Sequence, residues 1–140
     1  MNSTPRRSRG LTVAGAIGLA FGLLTILSGG TALFGGEAAR AAVGNAVPFV
    51  LWFNFLAGFA YVLAGLGLLA RRKVAAWLSA AIAISTVVVL AAFALHVAGG
   101  GAYEMRTVGA MLLRSTVWVA IAVVAYRAMR PIDPAAGTFR

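Results

Sequence analysis

Apolar residues run almost unbroken along this chain in four stretches, 11–34, 47–70, 74–98 and 107–128, and the charged residues gather between them. Each stretch exceeds the roughly 20 residues a helix needs to cross a bilayer core about 30 Å thick. A water-soluble alternative would require four core helices that are apolar all round, with almost no polar surface left to cover them. The pattern therefore predicts an all-α integral membrane protein: a single domain over residues 1–140, folded as an antiparallel bundle of four transmembrane helices. Met1–Gly10 and Pro131–Arg140 are expected to be short solvated or disordered ends. Arg6, Arg7 and Arg9 precede the first stretch as in a secretory signal, and Ser28-Gly29-Gly30-Thr31-Ala32 resembles a cleavage site. The stretch is longer than the roughly 7–15 residues of a signal's apolar segment, so it is expected to be retained as a span.

The gaps predict how the spans are joined. Arg71-Arg72-Lys73 alone separates the second and third, which makes them antiparallel neighbours. The third and fourth are joined by Gly99–Arg106, beginning with a Gly99-Gly100-Gly101 helix end. The longest connection is Gly35–Ala46, in which Glu37–Val43 has the residues of a short amphipathic helix. Pro48 suits the first turn of the second span.

Charge then gives an orientation. Arg6, Arg7, Arg9, Arg71, Arg72, Lys73, Arg127, Arg130 and Arg140 fall on one side, against Arg40 and Arg106 on the other. Excess Lys and Arg marks the cytoplasmic side, so both termini are expected inside, in the cell inner (plasma) membrane. The net charge of +9 follows from that topology and from attraction to anionic headgroups, so no nucleic acid partner is expected.

Composition removes several kinds of chemistry. With no cysteine there is no disulfide, thiolate nucleophile, iron–sulfur cluster or Cys-based zinc site. His96 is the single histidine, which excludes a bis-histidine haem within the chain. The single aspartate, Asp133, lies in the tail, so no Ser/His/Asp set forms within the membrane. The glycine triplet is followed by Ala-Tyr-Glu and follows a helix, unlike a phosphate loop. Met105 and Met111 near His96 offer two thioethers and one imidazole, too little for a copper site to be assigned.

Small residues mark faces for close packing: Gly15, Gly18, Gly22 and Gly29 on the first span, Asn54, Gly58, Tyr61 and Gly65 on the second, Ala81, Ser85, Ala92 and His96 on the third. Such stripes serve contacts within a bundle or between copies of a chain. Trp52, Trp77 and Tyr126 suit the membrane interfaces, and Trp118 the core.

Polar groups are uneven in depth. Asn54 and Arg114 each lie about 10–12 Å below the outer ends of their helices, at 1.5 Å per residue. His96, Glu37, Arg40, Glu104 and Arg106 lie at or above that level. An arginine within a span is costly unless paired or hydrated, so Arg114 is expected to find an acceptor in Glu37, Glu104 or Asn54. This predicts a shallow ligand-binding cavity open to the outside, built from Asn54, His96, Glu104, Arg114 and Glu37. Arg114 supplies its charge and His96 a proton-exchanging group, while His96 taken alone reads first as an interfacial residue. It would suit an anionic or quinone-like headgroup. The competing reading has Arg114 snorkelling to the headgroups while Glu104 and Arg106 cap the fourth helix.

The run from Ala57 to Lys73, Ala-Gly-Phe-Ala-Tyr-Val-Leu-Ala-Gly-Leu-Gly-Leu-Leu-Ala-Arg-Arg-Lys, followed by an Ala-rich helix, resembles the second and third helices of DoxX-like small membrane proteins. The resemblance implies four spans, both ends cytoplasmic, and for some members a link to quinone-coupled oxidation of sulfur compounds. The family often has an acidic residue early in the second helix, where this chain has Asn54. The expected function is binding: an accessory or assembly subunit of a larger membrane complex, or a lipid- or quinone-binding module, with a homo-oligomer also open. A DoxX-like component of a quinone-linked oxidoreductase is the second expectation. A small transporter ranks third, because no carboxylate lies in any span.

Overall fold

The computed structural model describes residues 5–130, with side chains from residue 9 onward. Five helices fill it: α1 Pro5–Phe34, α2 Gly36–Val43, α3 Pro48–Leu69, α4 Lys73–Ala98 and α5 Met105–Met129. No strand occurs among the described residues. From Arg9 onward α1 is long and apolar enough to cross a membrane, as are α3, α4 and α5. The helix bounds fall close to the expected stretches, with Pro48 at the start of α3 and α2 where the amphipathic piece was expected. One end differs. Helix α1 begins at Pro5, within residues expected to be a solvated end. Proline is preset for the first helical position, and the arginines that follow are good helix formers. Residues 1–4 and 131–140, including Asp133 and Arg140, and the side chains of Arg6 and Arg7 lie outside the described residues.

Helix α1 packs on α3 and α5, and α4 packs on the same two. The α1–α3 seam is made by glycine. Gly15, Gly22 and Gly29, seven residues apart, are buried and meet Gly65, Gly58 and Phe55 in reverse chain order. The two helices therefore run in opposite directions along it. A Cβ at Gly22 would stand 2.8 Å from Val62 N and 2.9 Å from Gly58 O. Backbone meets backbone, as small residues in spanning helices permit. The stripe read from the sequence is thus used within the chain.

The connection from α3 to α4 is as tight as its three basic residues suggested. Arg71 takes a left-handed conformation, φ 56°, at a cost of about 1–2 kcal/mol for a residue with a Cβ. The Arg72 N–H reaches back to Gly67 O at 2.8 Å and closes α3.

Helix α4 corrects the expectation for its face. Ala81, Ser85 and Ala92 are exposed, and the buried face is Ala75, Ser79, Ile82, Ala83, Thr86 and Phe93. Ser79 and Thr86 can face inward at little cost because each hydroxyl donates to a carbonyl of its own helix, Ala75 O at 2.7 Å and Ile82 O at 2.8 Å. Neither of these two α4 hydroxyls is carried into the core unpaired.

Apolar packing forms two clusters. The larger, nearer the α3–α4 turn, joins Leu11, Tyr61, Leu68, Ile82, Trp118 and Ile121. The smaller, at the other end, joins Val47, Val50, Phe93 and Met111. Leu24, Leu27, Leu63, Ile84 and Leu95 stand well exposed on the outside. Such a surface suits lipid and is a liability in water.

Candidate functional site: a polar cavity between α1, α3 and α5

Helix α1 meets α5 through Gly10 against Val124 and Gly18 against Trp118. Further along α1, at Thr25, Ser28 and Gly29, the space toward α5 becomes a cavity of about 240 Å³. Helix α3 contributes Val50, Leu51 and Asn54, and α5 contributes Thr107, Ala110 and Arg114. The volume falls below the range of sites for whole drug-sized ligands, about 300–1,000 Å³. It fits a headgroup rather than a complete lipid or quinone.

The cover of the cavity is the connection between α2 and α3, including Val43, Ala46 and Val47. Two hydrogen bonds tie this cover to the start of α5. The Asn45 backbone N–H donates to Glu104 Oε1 at 2.8 Å, and Arg106 Nη2 donates to Ala42 O at 2.8 Å. Gly44 sits beneath them at φ 63°, and a Cβ there would strike the Glu104 carboxylate. Glycine is needed at this position for both conformation and space. Glu104 and Arg106 thus fasten a cover, whereas the competing reading had them cap a helix; no side-chain cap bond forms at the start of α5.

Below the cover the interior is polar and underpaired. Asn54 Oδ1, Tyr61 Oη, Arg114 Nε, Ser115 Oγ and Trp118 Nε1 are buried atoms without a protein hydrogen-bond partner. Most buried polar atoms in proteins are paired, so five within two facing helices stand out. The Tyr61 and Trp118 rings pack at 4.6 Å between centroids within the larger apolar cluster and do not line the cavity. Four of the five atoms can donate, Asn54 Oδ1 accepts, and one arginine carries fixed charge. The set is donor-rich and calls for an acceptor-rich guest.

Of the expected site residues, the cavity brings together Asn54, Glu104 and Arg114. It does not include His96 or Glu37. The His96 ring lies 3.1 Å from Ala102 O through Nε2 and edge-on to Phe49, and so secures the loop after α4. Glu37 lies exposed in the first turn of α2. Arg114 lines the cavity, against the snorkelling alternative. It makes none of the expected bonds to Asn54, Glu104 or Glu37 among the described residues, since Glu104 is engaged by Asn45. Thr25 lines the cavity and was not singled out as a site residue; Ser115, Tyr61 and Trp118 do not line it, and Trp118 is in the core, as expected. Tyr61 is seven residues after Asn54 and Trp118 four after Arg114, spacings that share a helix face, so their position on the inward side was legible.

No protein-family model matches this chain, and neither does any curated protein or solved structure.

Proposed function

We propose that this is a multi-pass inner-membrane protein, an antiparallel four-span bundle with both ends cytoplasmic. In this reading it binds the polar head of a lipid-soluble molecule at its outer side. The carrying observation is Arg114, a half-buried arginine lining the cavity with no protein partner for its Nε, next to the unpaired Asn54 Oδ1. Charged groups within a span mark functional sites by default. A carboxylate, a phosphate or a quinone carbonyl would each satisfy Arg114 and nearby donors, while the attached tail stays in lipid. Action is by binding, alone or as a subunit that holds such a molecule for a larger membrane complex. A quinone head would accord with the chemistry that the DoxX resemblance implies. His96 has no role in this reading.

The test uses the full chain in mild detergent, titrated with a short-tailed benzoquinone and separately with dodecyl phosphate, and followed by tryptophan fluorescence. Saturable binding of one probe is expected, weakened about tenfold or more in Arg114→Leu. Hydrogen bonds to charged groups contribute about 1.5–3 kcal/mol, and each 1.4 kcal/mol is tenfold. Absence of saturable binding by both probes, or equal binding by Arg114→Leu, refutes the reading.

A further inference from the structure

A second concavity lies at the opposite end of the molecule, between the start of α4 and the end of α5, with a volume of about 670 Å³. Its floor is made of small side chains, Ala76, Ala80 and Ala122. Trp77, 78% exposed, and Tyr126, 57% exposed, also line it. At its mouth stand Lys73, Arg127 and Arg130, with the Arg130 guanidinium carbon 5.0 Å from the centre of the Tyr126 ring. Among the described residues no acidic residue lines it.

We infer that this groove is a binding site for one anionic phospholipid, with its phosphate among Lys73, Arg127 and Arg130 and an acyl chain along the alanine floor. Three observations converge on that occupant. Among the described residues the charge within the groove is positive and uncompensated, so a neutral or zwitterionic headgroup leaves it unsatisfied, whereas an anionic one is attracted by each nearby Lys or Arg. The apolar part begins immediately below the cations, which matches an amphiphile and not a free anion. The aromatic rings lie at the level of the cations, where amphipathic rings sit beside headgroups. A partner protein helix would need carboxylates to meet the three cations and would leave no place for a lipid phosphate. The site is separate from the Arg114 cavity and does not depend on it.

The experiment is native mass spectrometry of the full chain released from mild detergent with equimolar phosphatidylglycerol and phosphatidylcholine. One phosphatidylglycerol per chain is expected to be retained, favoured about tenfold or more. The triple variant Lys73→Gln/Arg127→Gln/Arg130→Gln should lose the preference, and the single variant Arg127→Gln should reduce it. Arg114→Leu should keep it. Excess inorganic phosphate should not displace the lipid, because the groove also holds the tail. Equal retention of both lipids, unchanged preference in the triple variant, or displacement by phosphate alone would overturn the inference. So would a dimer that retains no lipid and separates when the three cations are removed, which would make a second copy the occupant.

Discussion

The two sides of α3 solve opposite problems. Toward α1 it presents Gly58 and Gly65, and the backbones close until a single methyl group would collide. Toward α5 it presents Asn54 and Tyr61, and polar atoms remain buried without protein partners. One surface has no spare volume and no spare hydrogen-bonding capacity; the other has both. In lipid there is no hydrophobic drive between helices, so tight backbone contact is what holds the first seam. The second interface forgoes that contact and keeps a charge whose Nε has no protein partner. In the reading proposed above, the seam is scaffold and the α3–α5 space is site.

The largest effect should come from filling the seam. Gly22→Leu would drive a side chain into Val62 N and Gly58 O, which are backbone and cannot rotate away. Overpacking of this kind costs about 3 kcal/mol or more. Thermal unfolding in detergent should show a large loss of stability or no folded protein. A neutral result would mean that α1 and α3 are not fastened here, and the contrast between the two faces would disappear.

Next in size is Arg114→Leu, which should separate binding from stability. Arg114 has no salt-bridge partner among the described residues, so its loss strands no opposite charge. Replacing an unpaired charge within a span by leucine should leave the apo protein as stable or more so. Loss of probe binding with retained melting temperature fits a site. Loss of stability by about 1–3 kcal/mol would instead reveal a structural anchor.

These outcomes bear on what could be read from the chain. The four spans, α2 and the α3–α4 turn were legible because apolar length and clustered basic residues act locally. The α1 stripe was legible because glycine recurs every seven residues and serves little but close approach. The inward face of α4 was not. That helix is apolar on all sides, and its small residues, Ala81 and Ala92 among them, fall on the exposed side. Ser79 and Thr86 can occupy the buried side because each hydroxyl is satisfied within the helix. For the site, depth placed Asn54 and Arg114 together. It could not show that Glu104 is engaged by the Asn45 N–H or that His96 turns to its own loop. Both outcomes depend on loop backbone geometry, which sequence spacing does not encode.

The cover gives a smaller effect. Glu104→Ala removes the acceptor for the Asn45 N–H and should cost about 1 kcal/mol. More informative is its action on the site: with the tie to α5 weakened, a probe bound at Arg114 should leave faster while its association changes little. Dissociation rates measured by stopped-flow fluorescence would show this. Unchanged rates would mean that the cover does not govern access, and that a guest enters from the side, between α1 and α5.

The smallest effect has the opposite sign and serves as the control for the first. Gly109 lies in α5, exposed, and a Cβ there would have no neighbour within 4 Å. It is a helical glycine with none of the close contacts that justify Gly22. Glycine within a helix is less favourable than alanine by about 0.5–1 kcal/mol. Gly109→Ala should therefore stabilise the protein by up to that amount, seen as a small rise in melting temperature, and leave probe binding at Arg114 unaltered. If it destabilised the chain as Gly22→Leu does, some partner would have to cover this face of α5. The glycines of α1 would then no longer be distinguished by what they touch within the chain.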